Sequence, residues 1–160
     1  MMTAIRPRLR ALLVICAAVA LLAAQRAHPA QLDGFGRSAL EVRSKQGRQW
    51  FNVYIADTPE LQERGLMFVQ DLAPDAGMLF PQDKPRVMTM WMKNTLIPLD
   101  MLFIDAHGRI VCLLERTVPQ SLELLRCDRP VRAVLEIGGG EAAKRGIAKG
   151  DAVVHRLFGQ

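Results

Sequence analysis

The sequence predicts a mainly β fold, a compact antiparallel β-barrel or sandwich of about eight short strands with two short helices. Three observations carry that expectation. Apolar and polar residues alternate at period two in short runs such as Phe51-Asn52-Val53-Tyr54-Ile55. Glycine, proline and Asn/Asp residues interrupt the runs at close intervals, as strand-to-strand turns require. Helix-forming stretches are confined to two places, after Thr58-Pro59 and after Gly138-Gly139-Gly140.

The first element is a targeting segment. Arg6, Arg8 and Arg10 precede an uncharged apolar stretch from Ala11 to Ala24, followed by Gln25 and Arg26. That stretch suits a signal-peptide core and falls short of the ~20 residues that span a bilayer. The expected organisation is a signal peptide over 1–24, with its end as late as 30. A flexible leader over 25–37 and a single β-rich domain over 38–160 follow. An uncleaved membrane anchor is the alternative. Val14 and Ile15 before Cys16 speak against lipidation, which wants small residues there. Export places the protein in the periplasm or outside the cell. It also reduces the charge: without Arg6, Arg8 and Arg10, 18 basic residues face 16 acidic ones, against +5 for the whole chain. So weak a balance gives no support to nucleic-acid binding.

Within the domain, Ser38–Arg43 and Trp50–Ala56 read as a hairpin turning at Gly47, with Phe51, Val53 and Ile55 on one face. Thr58 is an N-cap and Pro59 the first residue of a short helix, with Leu61, Gly65 and Leu66 inward and Arg64 near its end. Strands are expected at Gly77–Phe80, ended by Pro81, then at Arg86–Met92 and Leu99–Ile104. Ala106-His107-Gly108 turns into a strand over Ile110–Glu115. Pro119–Arg126 is irregular or briefly helical, and Val131–Ile137 is a strand. The glycine run leads into a short helix through Arg145, and Ala152–Leu157 is the last strand. With Cys16 removed, Cys112 and Cys127 remain. In an oxidising compartment they form either a disulfide worth roughly 3 kcal/mol or two buried thiols.

An ordered set of short motifs resembles the domain-of-unknown-function 192 family of small bacterial and archaeal proteins. It comprises Glu63-Arg64-Gly65-Leu66-Met67, Gly77-Met78-Leu79-Phe80, Trp91-Met92-Lys93-Asn94-Thr95 and Pro98-Leu99-Asp100. Phe103-Ile104-Asp105, Val134-Leu135-Glu136, Gly146-Ile147 and Gly150-Asp151 complete it. The motifs cover residues 50 to 157. The resemblance implies a compact β fold, often exported, and implies no reaction, cofactor or catalytic residue. One departure is Met90, where the family more usually has an aromatic residue.

The polar insert Lys93-Asn94-Thr95 between apolar runs is the most informative feature for function. Buried polar groups must pair with one another or meet a ligand. The leading reading is a site for a small polar or anionic ligand, or a protein partner, built from Arg64, Lys93, Asn94, Asp100 and Glu115. A hydrolase or lyase would use the same cluster, with Asp100 or Glu115 as base and Lys93 as electrostatic stabiliser. A structural or assembly factor would use it only as an internal knot, with Lys93 reaching Asp100. The balance leans away from an enzyme. Met88, Met90 and Met92 share one face of an extended strand and would suit Cu(I), but core filling explains them. No His/Cys/Asp/Glu set has metal-site spacing, so no metal and no cofactor is expected. The glycine run lacks the residues of a nucleotide loop and reads as a turn needing positive φ. Membrane contact is expected only through the N-terminal segment, if it is retained.

Overall fold

The computed structural model describes residues 30–159. The expected signal peptide over 1–24 and the first residues of the expected leader lie outside them. The described residues form nine strands: β1 Gly36–Ser44, β2 Gly47–Ile55, β3 Ala76–Arg86, β4 Thr89–Met90, β5 Leu99–Ile104, β6 Ile110–Leu114, β7 Leu125–Arg126, β8 Val131–Gly138 and β9 Ala152–Val154. Helices α1, Pro59–Arg64, and α2, Glu141–Lys144, complete the domain, with 3-10 turns at Ala30–Leu32 and Arg156–Phe158. Seven strands make one sheet in the order β6-β5-β8-β3-β2-β1-β9, and β4 pairs with β7 separately. The large sheet curls until its edges meet. Arg109 bridges to Ala152, the Ile110 N–H donates to the Asp151 carbonyl at 3.0 Å, and the Val153 N–H donates to the Gly108 carbonyl at 2.7 Å. Among the described residues no helix is long and apolar enough to cross a membrane.

The curled sheet separates two cores. Leu40, Val42, Phe51, Val53, Ile55, Leu79, Leu102, Ile104, Leu135 and Ile137 pack inside the curl, with Ala142 of α2 and Ile147 at one end. Met78, Phe80, Met101, Phe103 and Val134 face the other way. Leu32, Phe35, Leu66, Val69, Met88 and Met92, from segments outside the sheet, cover them. Strands β3, β5 and β8 are thus buried on both faces, and that explains their nearly continuous apolar character.

Several local expectations are met. The β1–β2 hairpin pairs Ser44 with Gly47. Thr58 Oγ1 accepts the Leu61 N–H at 3.3 Å and caps α1, with Pro59 at its start. Gly140 sits at φ 90, the left-handed turn that the glycine run supplies. Cys112 and Cys127 are joined as a disulfide with Cα atoms 6.1 Å apart.

Other expectations are corrected. Strand β2 lies parallel to β3 through the crossover that carries α1. β3 does not stop at Pro81: it pairs Pro81 with Ala133 and resumes at Arg86 opposite Val131 after a register shift. Of the segment expected to be a strand over Arg86–Met92, Arg86 ends β3 and Thr89–Met90 pairs with β7, because the chain beyond Arg86 crosses over the outer core instead of staying in the main sheet. Pro119–Arg126 is irregular, one of the two expected alternatives, apart from β7 at its end, while the last strand stops at Val154 and gives way to a 3-10 turn. The end of the expected leader is packed, since Leu32 and Phe35 are buried.

Candidate functional site

The crossover after β2 places α1 over the outer face of the sheet, and the segment leaving β3 passes beside it. Between them lies a cavity of about 110 Å³, walled by Gln62, Glu63 and Arg64 of α1, Met67, Phe80, Arg86, Met88, Met90, Trp91, Lys93, Thr95 and Glu136. That is several times the roughly 10–15 Å³ that one water molecule requires. Of the residues expected to form the site, Arg64 and Lys93 converge here. Arg64 is held in place: its Nη2 donates to the Asp33 carbonyl at 2.7 Å, and its guanidinium lies 4.4 Å from the Phe35 ring centroid. Lys93 is half-buried, with Nζ 4.9 Å from the Trp91 ring centroid.

Asn94 shapes the rim. It adopts φ 56, and its carbonyl accepts the N–H of Phe68, itself at φ 62, at 2.9 Å. Its Nδ2 donates to the Met67 sulfur at 3.8 Å. Two side-chain-bearing residues in the left-handed region therefore lock to each other beside the cavity. Such backbone is costly, most of all for an aromatic residue, and it persists only where the surroundings over-determine it.

Asp100 and Glu115 are elsewhere. Asp100 is fully buried on the inner side of β5, where its carboxylate accepts backbone N–H bonds from Arg116 at 2.8 Å and from Gly140 and Ala142 at 2.9 Å. It caps α2, whose own N-cap residue is a glycine without a side chain. The expected Lys93–Asp100 pair does not form among the described residues. Lys93 approaches the outer face of the sheet, and Asp100 points into the other. Glu115 is exposed beyond the end of β6, outside the cavity. The hydrolase reading drew its base from these two carboxylates, and neither lines the cavity.

Two wall residues went unrecognised in the sequence as site members. Arg86 is exposed, and its Nε donates to Gln82 Oε1 at 2.6 Å, which orients it. Glu136 is 4% exposed. Met78 of β3 and Met101 of β5 stand opposite it in register, so thioethers flank it on both sides. No hydrogen bond or ion pair from the described residues reaches its carboxyl, and burial alone pushes its pKa up to about 8. The one signal in the sequence is an acidic residue inside the apolar run Val134-Leu135-Glu136-Ile137. The methionines pack as core: Met88 and Met92 are buried, and Thr117 Oγ1 donates to the Met92 sulfur at 3.1 Å. Among the described residues no His/Cys/Asp/Glu group is arranged to hold a metal ion.

Comparison with known proteins gives a consistent picture. The model of the DUF192 family, described as an uncharacterized ACR, matches residues 40–155. The crystal structure of a protein provisionally described as a transcription regulator, from Sinorhizobium meliloti 1021, is similar with a TM-score of 0.75 at 35% identity. The similarity covers 77% of this chain and 96% of that one. A protein of unknown function from Novosphingobium aromaticivorans DSM 12444 is similar with a TM-score of 0.76 at 37% identity, over 81% and 91% of the respective chains. No curated protein matches the chain.

Proposed function

The chain belongs to the DUF192 family of uncharacterized proteins, and from that premise we propose that it is a binding module for a small anionic ligand, seated in the cavity between α1 and the 87–95 segment. The carrying observation is the convergence of Arg64, Arg86 and Lys93 on one cavity whose wall also holds the Glu136 carboxyl, which none of the described residues pairs with. Cations from three separate segments create a positive field at the opening, and two of them are already oriented by hydrogen bonds. Such preorganisation lowers the ordering cost of binding. The α1 and α2 helices, of six and four residues, are short for a recognition helix laid in a DNA groove. The transcriptional role provisionally given to the Sinorhizobium protein is therefore not the reading adopted.

We place the protein in the periplasm or outside the cell. The N-terminal basic and apolar pattern supports this, and so does the Cys112–Cys127 disulfide, which persists in oxidising compartments.

The test is calorimetric titration of the full chain with acetate, succinate, phosphate and glycine. Saturable binding is expected for at least one. Lys93→Ala and Arg86→Ala should each weaken it roughly tenfold or more, as loss of a charge-assisted hydrogen bond does. Glu115→Ala should leave it unchanged. Binding that ignores both cation removals would refute the site.

A further inference from the structure

We propose that the occupant of this cavity is a small zwitterion, an amine-bearing carboxylic acid, whose ammonium group meets Glu136 while its anionic end meets Arg86 and Lys93. The inference rests on the anion-site reading above and adds the second pole. Its basis is how charge is distributed around the cavity. Arg64 and Arg86 are exposed and Lys93 is half-buried, so the positive groups reach toward solvent. Glu136 is the buried pole, on the strand that forms the inner wall.

A carboxyl group offers about four acceptor positions. At Glu136 the described protein uses none of them. A ligand carrying negative charge alone would leave those acceptors facing an apolar tail or, once the group ionises, a like charge. A ligand with a cationic group at its far end satisfies them and supplies the partner that burial demands. Nothing flanking Glu136 competes for that role. The neighbours on β3 and β5 are the uncharged Met78 and Met101. The remaining charged wall groups are Glu63 and Arg64 on α1, Arg86 at the end of β3, and Lys93 on the segment beyond it.

A proton balance follows. Without ligand, burial keeps the Glu136 carboxyl protonated at neutral pH. Seating an ammonium ion gives a carboxylate–ammonium pair and releases the carboxyl proton to solvent. A simple carboxylate bound at the cations releases none.

The experiment is calorimetric titration of the full chain at pH 7 in two buffers of different ionisation enthalpy. The probes are glycine, β-alanine, 4-aminobutyrate and 6-aminohexanoate, against acetate, propionate, butyrate and glycolate. One amino acid should bind roughly tenfold or more tightly than the carboxylate of equal length, with release of close to one proton. The best-fitting length then measures the span between the poles. Glu136→Gln should abolish both the preference and the release. The proton count comes from the unmodified protein, so the test survives even if that variant folds poorly. Equal binding of carboxylates, or of glycolate, with no proton released would overturn the zwitterion and leave the anion site standing. If no probe binds the folded protein, both readings fall.

Discussion

Asp100 and Lys93 stand at the two ends of one loop and carry opposite charges, yet the structure gives them unrelated work. Removing the Asp100 carboxylate strands three backbone N–H groups, that of Ala142 in a buried bond and those of Arg116 and Gly140 in partly buried ones. Each unsatisfied donor costs ~1–3 kcal/mol. Asp100→Ala should therefore destabilise the protein by roughly 3 kcal/mol or more, a figure that urea titration measures. Lys93→Ala loses a half-buried cation stacked on Trp91 and should cost less than about 1 kcal/mol. Equal losses at the two positions would contradict this division of labour. Glu136 gives a pH signature. Its folded-state pKa of about 8 lies above the ordinary 4.5, so across that interval the folded chain keeps a proton that the unfolded chain has lost. Stability from this group is full below pH 4.5, falls as pH rises, and levels off above pH 8. The full difference is on the order of 5 kcal/mol, an upper limit because the cavity admits water. Glu136→Gln should flatten that decline. Parallel melting-temperature profiles for wild type and variant between pH 5 and 9 would count against it.

At the scale of elements, the disulfide joins β6 to the segment after β7 and closes a loop of 15 positions. Replacing both cysteines by serine should lower stability by about 3 kcal/mol, read from chemical denaturation with and without reductant. The strands of the main sheet were largely legible in the sequence because period-two patterning is local. β2 follows it over Phe51–Ile55, whereas β5 and β8 are legible as apolar runs bounded by turn residues. What the sequence concealed was fixed by distant partners. Nothing near Pro81 announces that Ala133 will pair beside it, or that β2 and β3 will run parallel. Met88, Met90 and Met92 look like a strand, but their place is decided by the outer core they cover. The site divides in the same way. Arg64 and Lys93, which line one cavity, are visible locally as a helix end and a polar insert. Asp100 was misplaced because alternation separates two faces without saying which one meets Lys93. Glu136 passed unnoticed because its burial depends on Met78 and Met101, 58 and 35 positions earlier in the chain.

For the molecule as a whole, a sheet with apolar residues on both sides needs two covers. The inner one is the curl itself. The outer one is assembled from segments with little regular structure, and the cavity is built within it. Phe35 belongs to that outer layer, meeting Tyr54 edge-on and supporting the Arg64 guanidinium. Phe35→Ala should cost about 3 kcal/mol and should also weaken ligand binding by freeing Arg64. Denaturation and calorimetry on the same variant check both effects, and stability loss with unaltered affinity would separate Arg64 from the site.

The seam between β1 and β9 brings the first and last strands of the described residues together. His155 Nε2 lies 3.0 Å from Ser38 Oγ, and Val154 pairs with Glu41. A donor dye on Arg37 and an acceptor on Gly159 would thus glow as a close pair only while the sheet stays zipped.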